Sequence, residues 1–215
     1  MKITQANKTA IDYACKHFHY SKSVPAVQFA YNIYNNNGEW CGCILFGNGA
    51  NNHIAQAFNK NQGEVLELVR VALNGKQEHT SQAVAMCLKQ LHKDDPLCSI
   101  VVSYSDHRQR HIGTIYQATN WIYLGLSIVS DTQYFFNGKW THKRTLDSRK
   151  DGDFLKKTLP KRENSNKFKY IFCFNKKDRK EYLKKALPYP KDQDLTECSM
   201  QVEKRRRSEV GGDTN

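Results

Sequence analysis

The sequence predicts an α/β protein, a mixed central sheet flanked by helices and followed by a basic C-terminal extension. Three observations predict it. Two apolar runs, VLELVRVAL (65–73) and CSIVVSY (98–104), have the length and β-branched content of buried strands. The segment between them repeats its apolar residues at helical spacing, so a helix crosses from one strand to the next. From Lys139 to Lys191 the chain carries 18 Lys and Arg against 6 Asp and Glu, an excess that matches the +12 of the whole sequence.

The elements follow in order. Residues 8–19 read as a helix, with Ala10, Ile11, Ala14 and Phe18 at helical spacing and Asn7 placed to cap it. HYSKSVP (19–25) runs into a proline and reads as a loop. Val27–Tyr34 and Glu39–Phe46 read as strands joined by a hairpin turn at Asn35-Asn36-Asn37-Gly38. The loop Gly47–Asn52 resembles a phosphate cradle only loosely, because it lacks the Lys-Ser/Thr of a P-loop. After the strand Val65–Leu73 comes a turn, then a helix over Ser81–His92 with Thr80 or Ser81 near its N-cap; Asp94-Asp95-Pro96 stops it. The strand Cys98–Tyr104 is followed by a helix at Ile112–Thr119 and a strand at Trp121–Gly125. Thr132–Trp140 reads as a hairpin across Asn137-Gly138, Lys143–Lys167 as irregular, Phe168–Phe174 as a late strand and Lys177–Leu187 as a basic helix. The expected organisation is a core over 1–130, a basic extension packed on it over 131–191 and a disordered tail over 192–215.

A chain of 215 residues has room for one sizeable core or one core with an appendage. No apolar run is long enough to cross a bilayer, and the first residues lack the apolar core of an export signal, so the expectation is a cytoplasmic protein without a membrane partner. Seven cysteines is an odd count, and Cys41 and Cys43 stand too close for a zinc knuckle or a redox pair. Reduced, buried thiols are expected. The lopsided positive charge points to a polyanion, and the aromatics among it (Trp140, Phe168, Tyr170, Phe172, Phe174) favour nucleic acid over a solvated basic face.

The densest polar and aromatic cluster is SDHRQRHIGTIYQATNWIYLG (105–125), directly after the apolar Ile100-Val101-Val102. A strand ending in Ser105-Asp106 delivers its polar residues at the carboxyl edge of the sheet, where α/β proteins build sites. Asp106 there can act as a base, a ligand or a cap. On its own Tyr116 reads first as a core residue, and Trp121 likewise. Glu67 and Arg70, on an apolar strand, read as a structural pair. Arg108 and Arg110 flank Asp106 and suit phosphate contact; His107 and His111 are spare imidazoles.

The pattern Tyr116-x-x-x-Asn120-Trp121-x-Tyr123-x-Gly125 resembles the Y-x-x-x-G-F ending of the GNAT acyltransferase fold. In that fold a tyrosine so placed commonly protonates the leaving thiolate of coenzyme A. The Gly-rich pyrophosphate turn of that fold is missing from Asn74–Ser81, where Lys76, Gln77 and Ser81 are the residues left to hold a cofactor's anion.

A fuller resemblance is to the Mom family of phage DNA-modification proteins. Four segments carry it in order: HYSKSVP (19–25), ILFGNGAN (44–51), LELVRVALN (66–74) and VVSYSDHRQRHIGTIYQATNWIYLG (101–125). The resemblance implies a GNAT-like transferase acting on double-stranded DNA. It would place a carbamoylmethyl-type group on the exocyclic N6 of adenine and shield phage DNA from host restriction. It makes His19, Tyr20, Asp106 and Tyr116 the functional cluster, proposed in the family to bind iron; imidazole, phenolate and carboxylate are donors that suit iron. The same four groups also fit a metal-free site with Asp106 or His19 as base and Tyr116 as acid. Ser21 and Lys22 beside the cluster, Arg108, Arg110, and Lys139, Lys143 and Arg144 in the extension are the expected DNA contacts. Two rival readings stand: an acyl-coenzyme A N-acyltransferase acting on a protein or small amine, and a DNA-binding protein without catalysis. The donor of the transferred group and the assembly state, homodimer included, stay open.

Overall fold

The computed structural model describes residues 1–49, 53–106, 109–127, 132–163 and 167–191. The strand β1 (Lys2–Gln5) leads into α1 (Lys8–Phe18). Asn7 caps that helix as expected, its side chain accepting from the Ala10 amide at 2.9 Å. An Asn7→Ala chain should therefore lose about 1 kcal/mol in a urea melt. No loss would mean that water satisfies the first turn equally well.

The hairpin β2 (Phe29–Tyr34) and β3 (Trp40–Gly47) closes over the Asn35 side chain, which accepts from the amides of Asn37 and Glu39. A single 3-10 turn at Gln56–Phe58 precedes β4 (Val65–Leu73). The crossover helix α2 (Thr80–Asp94) returns the chain to β5 (Ile100–Ser105). His79, not Thr80 or Ser81, is its N-cap residue, without a side-chain cap bond.

The helix expected over Ile112–Thr119 is only α3 (Thr114–Gln117). Left-handed backbone at Gly113 (φ 81°) starts it, and Asn120 (φ 59°) lies just beyond its end. Then come β6 (Ile122–Leu126), β7 (Thr132–Phe136) and β8 (Lys139–His142). Asn137 and Gly138 both take positive φ between β7 and β8, the backbone that a tight two-residue hairpin requires. The stretch expected to be irregular forms α4 (Lys143–Asp147), α5 (Gly152–Thr158) and β9 (Lys161–Glu163). Each is too short for periodicity to show. The chain ends its described course with β10 (Phe168–Cys173) and α6 (Lys176–Leu183); residues 192–215, expected to be a tail, lie outside the described residues.

Seven strands form one mixed sheet in the order β1-β2-β3-β4-β5-β10-β6. Of its neighbouring pairs only β4 and β5 run parallel, as the crossover helix demands. Alternation along the strands sorts the core onto two faces. Leu66, Leu68, Val101, Tyr123 and Tyr170 pack with α2 and Tyr116 of α3. On the other face Cys43, Leu45 and Ala72 pack with α1, and Val102, Ile122 and Ile171 with Phe58 and Tyr182 of α6. An ion pair of Lys60 with Asp178 (2.8 Å) and a bond from Tyr182 to the Phe58 carbonyl fasten α6 there.

The expected division at residue 130 does not coincide with the edge of this sheet. β10 is hydrogen-bonded between β5 and β6, because the apolar alternation of FKYIFC needs cover on both faces. What stands apart is the three-stranded sheet β8-β7-β9. The six described cysteines are buried and unbridged, as expected of reduced thiols.

Candidate active site

The parallel pairing of β4 and β5 lasts three residues, Val65–Glu67 against Ile100–Val102. Beyond it, Leu68–Val71 and Ser103–Asp106 line a cavity of about 530 Å³ instead of pairing with each other. Phe18, His19 and Tyr20 at the end of α1, residues 109–116 and Lys167 complete its walls. That volume suits a ligand the size of a base with a small donor beside it.

All four residues of the expected cluster, His19, Tyr20, Asp106 and Tyr116, line this cavity. His19 is the C-cap residue of α1. Its Nδ1 lies 2.8 Å from Ser21 Oγ and accepts from the Ser21 amide at 3.2 Å, which leaves Nε2 for chemistry. Ser21 Oγ continues to Ser23 Oγ at 3.1 Å, and Arg70 donates to Ser23 at 3.2 Å. Burial, then the charges of Arg70, His111, Lys22 and Lys167, push the imidazole pKa down to about 4, so it is neutral near pH 7.

A stability consequence follows. Between pH 6.5 and about 4 the unfolded chain takes up a proton at His19 that the folded chain refuses. Stability should therefore fall as pH falls through that window. Urea melts at pH 7 and pH 5 should show a smaller loss for His19→Gln than for the unchanged chain. Equal losses would mean that His19 titrates as it does in water.

Tyr20 is 51% exposed. Its hydroxyl is kept protonated first by burial and then by the Asp106 carboxylate. Its ring lies 4.3 Å from that of His19. Asp106 sits just past β5, and its carbonyl accepts from the amides of Gln109 (3.0 Å) and His111 (3.3 Å), a turn that holds the residue at the strand mouth.

Tyr116 is 7% exposed, its ring against Trp121 and Tyr170. Its oxygen lies 2.8 Å from Ser103 Oγ, which is 3.0 Å from the Leu68 carbonyl. A serine hydroxyl has one proton. Ser103 can give it to either acceptor, and when it donates to Tyr116 the phenol keeps its own proton for the cavity. Burial pushes the Tyr116 pKa up to about 12, so it holds its proton. Tyr116 is thus both the core residue that its lone reading suggests and a wall of the cavity.

Glu67 and Arg70 are not the structural pair expected. No ion pair joins them among the described residues; Arg70 bonds the Val69 carbonyl and Ser23, and both side chains line the cavity. Three residues apart, they would face opposite ways on a regular strand. The pairing of β3 with β4 skips Val69: Leu45 pairs with Arg70 and Phe46 with Leu68. This bulge resets the alternation and puts Glu67 and Arg70 on one face. Burial raises the Glu67 pKa, against the pull of Lys167 and Arg70. No pattern in the sequence marks the bulge.

The other expected site residues divide between the cavity and places outside it. Lys76, Gln77 and Ser81 do not line the cavity. Lys76 approaches Glu39 at 3.8 Å, and Gln77 donates to Thr80 at 2.8 Å, so the turn is tied to its own surroundings. Arg110 and His111 are exposed and line the cavity; His107 and Arg108 lie outside the described residues. Ser21 and Lys22 are exposed next to the site, with Lys22 donating to the His17 carbonyl. Lys139, Lys143 and Arg144 are exposed on the small sheet and α4, away from the cavity walls.

Residues 1–191 match the Mom protein family. The chain belongs to the Mom protein family. Over 137 residues it is 30% identical to the methylcarbamoylase Mom of Escherichia phage Mu, a match covering 59% of this chain and 56% of that one. The chain thus aligns with a little over half of that curated relative. In this Mom-family chain the family match runs through β10 and α6, which agrees with their place in the main body.

The donor set is a test of iron. His19 and Asp106 supply one imidazole and one carboxylate. The Tyr116 oxygen is engaged with Ser103, and both tyrosines hold their protons. Among the described residues no three of His, Cys, Asp and Glu gather as a metal site would need. His19 and Asp106 are ordinary iron donors, and Tyr20 and Tyr116 would have to give up their protons to join them as phenolates.

Proposed function

We propose that this chain is a DNA-modifying transferase that places a carbamoylmethyl-type group on the exocyclic N6 of adenine in double-stranded DNA. Its biological effect would be to shield phage DNA from restriction inside the host cell. One observation carries the reading. The parting of β4 and β5 opens a cavity that gathers His19, Tyr20, Asp106 and Tyr116 under a rim of Arg70, Arg110 and Lys167, in a Mom-family chain. The relative from phage Mu, named a methylcarbamoylase, supports the chemistry.

The adenine amine is a poor nucleophile because its lone pair is delocalised into the ring. Asp106 or His19 Nε2 accepts an N6 proton while N6 bonds to the transferred carbon of an activated donor. The bond from that carbon to its leaving group breaks with its electron pair, and Tyr116 protonates the leaving group. The cationic rim takes the phosphates of the strand, with Lys139, Lys143 and Arg144 gripping more of it. An adenine inside a duplex cannot reach such a cavity, so the base is flipped out. We read the architecture as GNAT-like: a β-α-β crossover whose parallel strands part after three pairs.

The test is nucleoside mass spectrometry of DNA from cells expressing the chain. A new adenosine mass supports the reading. Unchanged DNA with folded protein, together with tight coenzyme A binding, would favour an N-acyltransferase, for which the same parted strands offer a slot. Iron analysis of the purified chain tests whether the cluster works as an acid–base site or also holds a metal.

A further inference from the structure

The small sheet β8-β7-β9 has an outward face of unusual make-up. Directly opposed residues share a face, so strand pairing sorts its side chains. Tyr134 pairs with Thr141, and both are buried. Phe135 pairs with Trp140, and Gln133 with His142 and Arg162, so these five share the other face. That face is open: Phe135 is 40% and Trp140 37% exposed. The two rings meet edge to face at 5.3 Å. The Arg162 guanidinium lies 4.3 Å over the Trp140 ring and is steadied by its bond to Gln133 Oε1 at 2.9 Å.

Paired aromatics exposed on a sheet are costly to leave in water unless something covers them. The surrounding charge says what. Residues 132–163 carry nine Lys and Arg against four Asp and Glu. Three of those acids are already held, Asp147 and Asp153 by Lys156 and Asp151 by Arg149. The positive excess is therefore turned to a polyanion.

We propose that this face binds single-stranded DNA, unpaired bases stacking on Phe135, on Trp140 and on the Arg162 guanidinium that lies over it, with that same guanidinium meeting the backbone. A duplex hides the faces of its bases, whereas a strand opened for modification offers them. The proposal rests on the reading that the chain acts on DNA, and it adds the state in which DNA meets this sheet.

The probe is an oligothymidylate of twelve nucleotides, which contains no adenine and so reports binding apart from any modification. It is titrated into the full chain, and a mixed-sequence duplex of equal length is titrated in parallel. Joint Trp140→Ala and Phe135→Ala replacement should weaken oligothymidylate binding at least about tenfold and leave duplex binding within about twofold. Trp140→Phe keeps a stacking ring, so it should retain binding and lose the tryptophan quenching seen with the unchanged chain. Oligothymidylate affinity unmoved by the double replacement, an equal loss for the duplex, or quenching that survives Trp140→Phe would each overturn the proposal. Each of these outcomes is independent of whether adenine is ever modified.

Discussion

Asp106→Ala should lower the yield of modified adenosine at least about 100-fold, the size expected when a positioned base is lost. Tyr116→Phe should lower it by a similar factor for a different reason. The phenylalanine keeps the ring packed on Trp121 and Tyr170 and removes one oxygen. The fold then loses only the bond to Ser103, about 1 kcal/mol. A stable Tyr116→Phe chain without activity separates the acid from the scaffold. Nucleoside mass spectrometry beside a thermal melt reads both quantities. Full yield from Tyr116→Phe would take the proton donor away from Tyr116 and leave Tyr20 or water in its place. Full yield from Asp106→Ala would leave His19 as the base.

Gly113→Ala should cost about 2–5 kcal/mol, combining a strained left-handed backbone with overpacking of the core. Gly113 holds φ 81°, and an added Cβ would come within 2.5 Å of the Tyr170 ring. Tyr170 has little freedom to retreat, because it is fully buried and its hydroxyl donates to the Ile112 carbonyl. The displaced partner would be α3, and with it Tyr116. Urea denaturation should show the midpoint fall, and activity should fall with it at temperatures where the chain is still folded. A midpoint unchanged from the parent would mean that the loop before α3 can move aside.

Much of this was open to reading along the chain. Asn7 and its helix, the Asn137-Gly138 hairpin and the bounds of Val65–Leu73 rest on local rules of capping, turn backbone and length, and all three are found. Asp106 and Tyr116 share one short span, and His19-Tyr20 ends a helix, so local pattern and family likeness together were enough to name them. Glu67, Arg70 and Lys167 were missed as wall residues because their placement is not local. A one-residue bulge turns Arg70 onto the face of Glu67, and only the return of the chain into β10 brings Lys167 to the site. The short α4, α5 and β9 fall below the length at which a period can be counted.

The position of β10 has a consequence for the order of events in a cell. Among the described residues, 168–173 alone bridge β5 and β6, yet they leave the ribosome after every other strand of the sheet. Until they arrive, two strand edges stand open and the tyrosine helix has no Tyr170 to rest on. Closing the sheet joins residues far apart along the chain, which is slow compared with local folding. A nascent or prematurely terminated chain lacking this segment would have no assembled site. The pocket that gathers His19, Tyr20, Asp106 and Tyr116 would thereby form only after the segment 168–173 has been made.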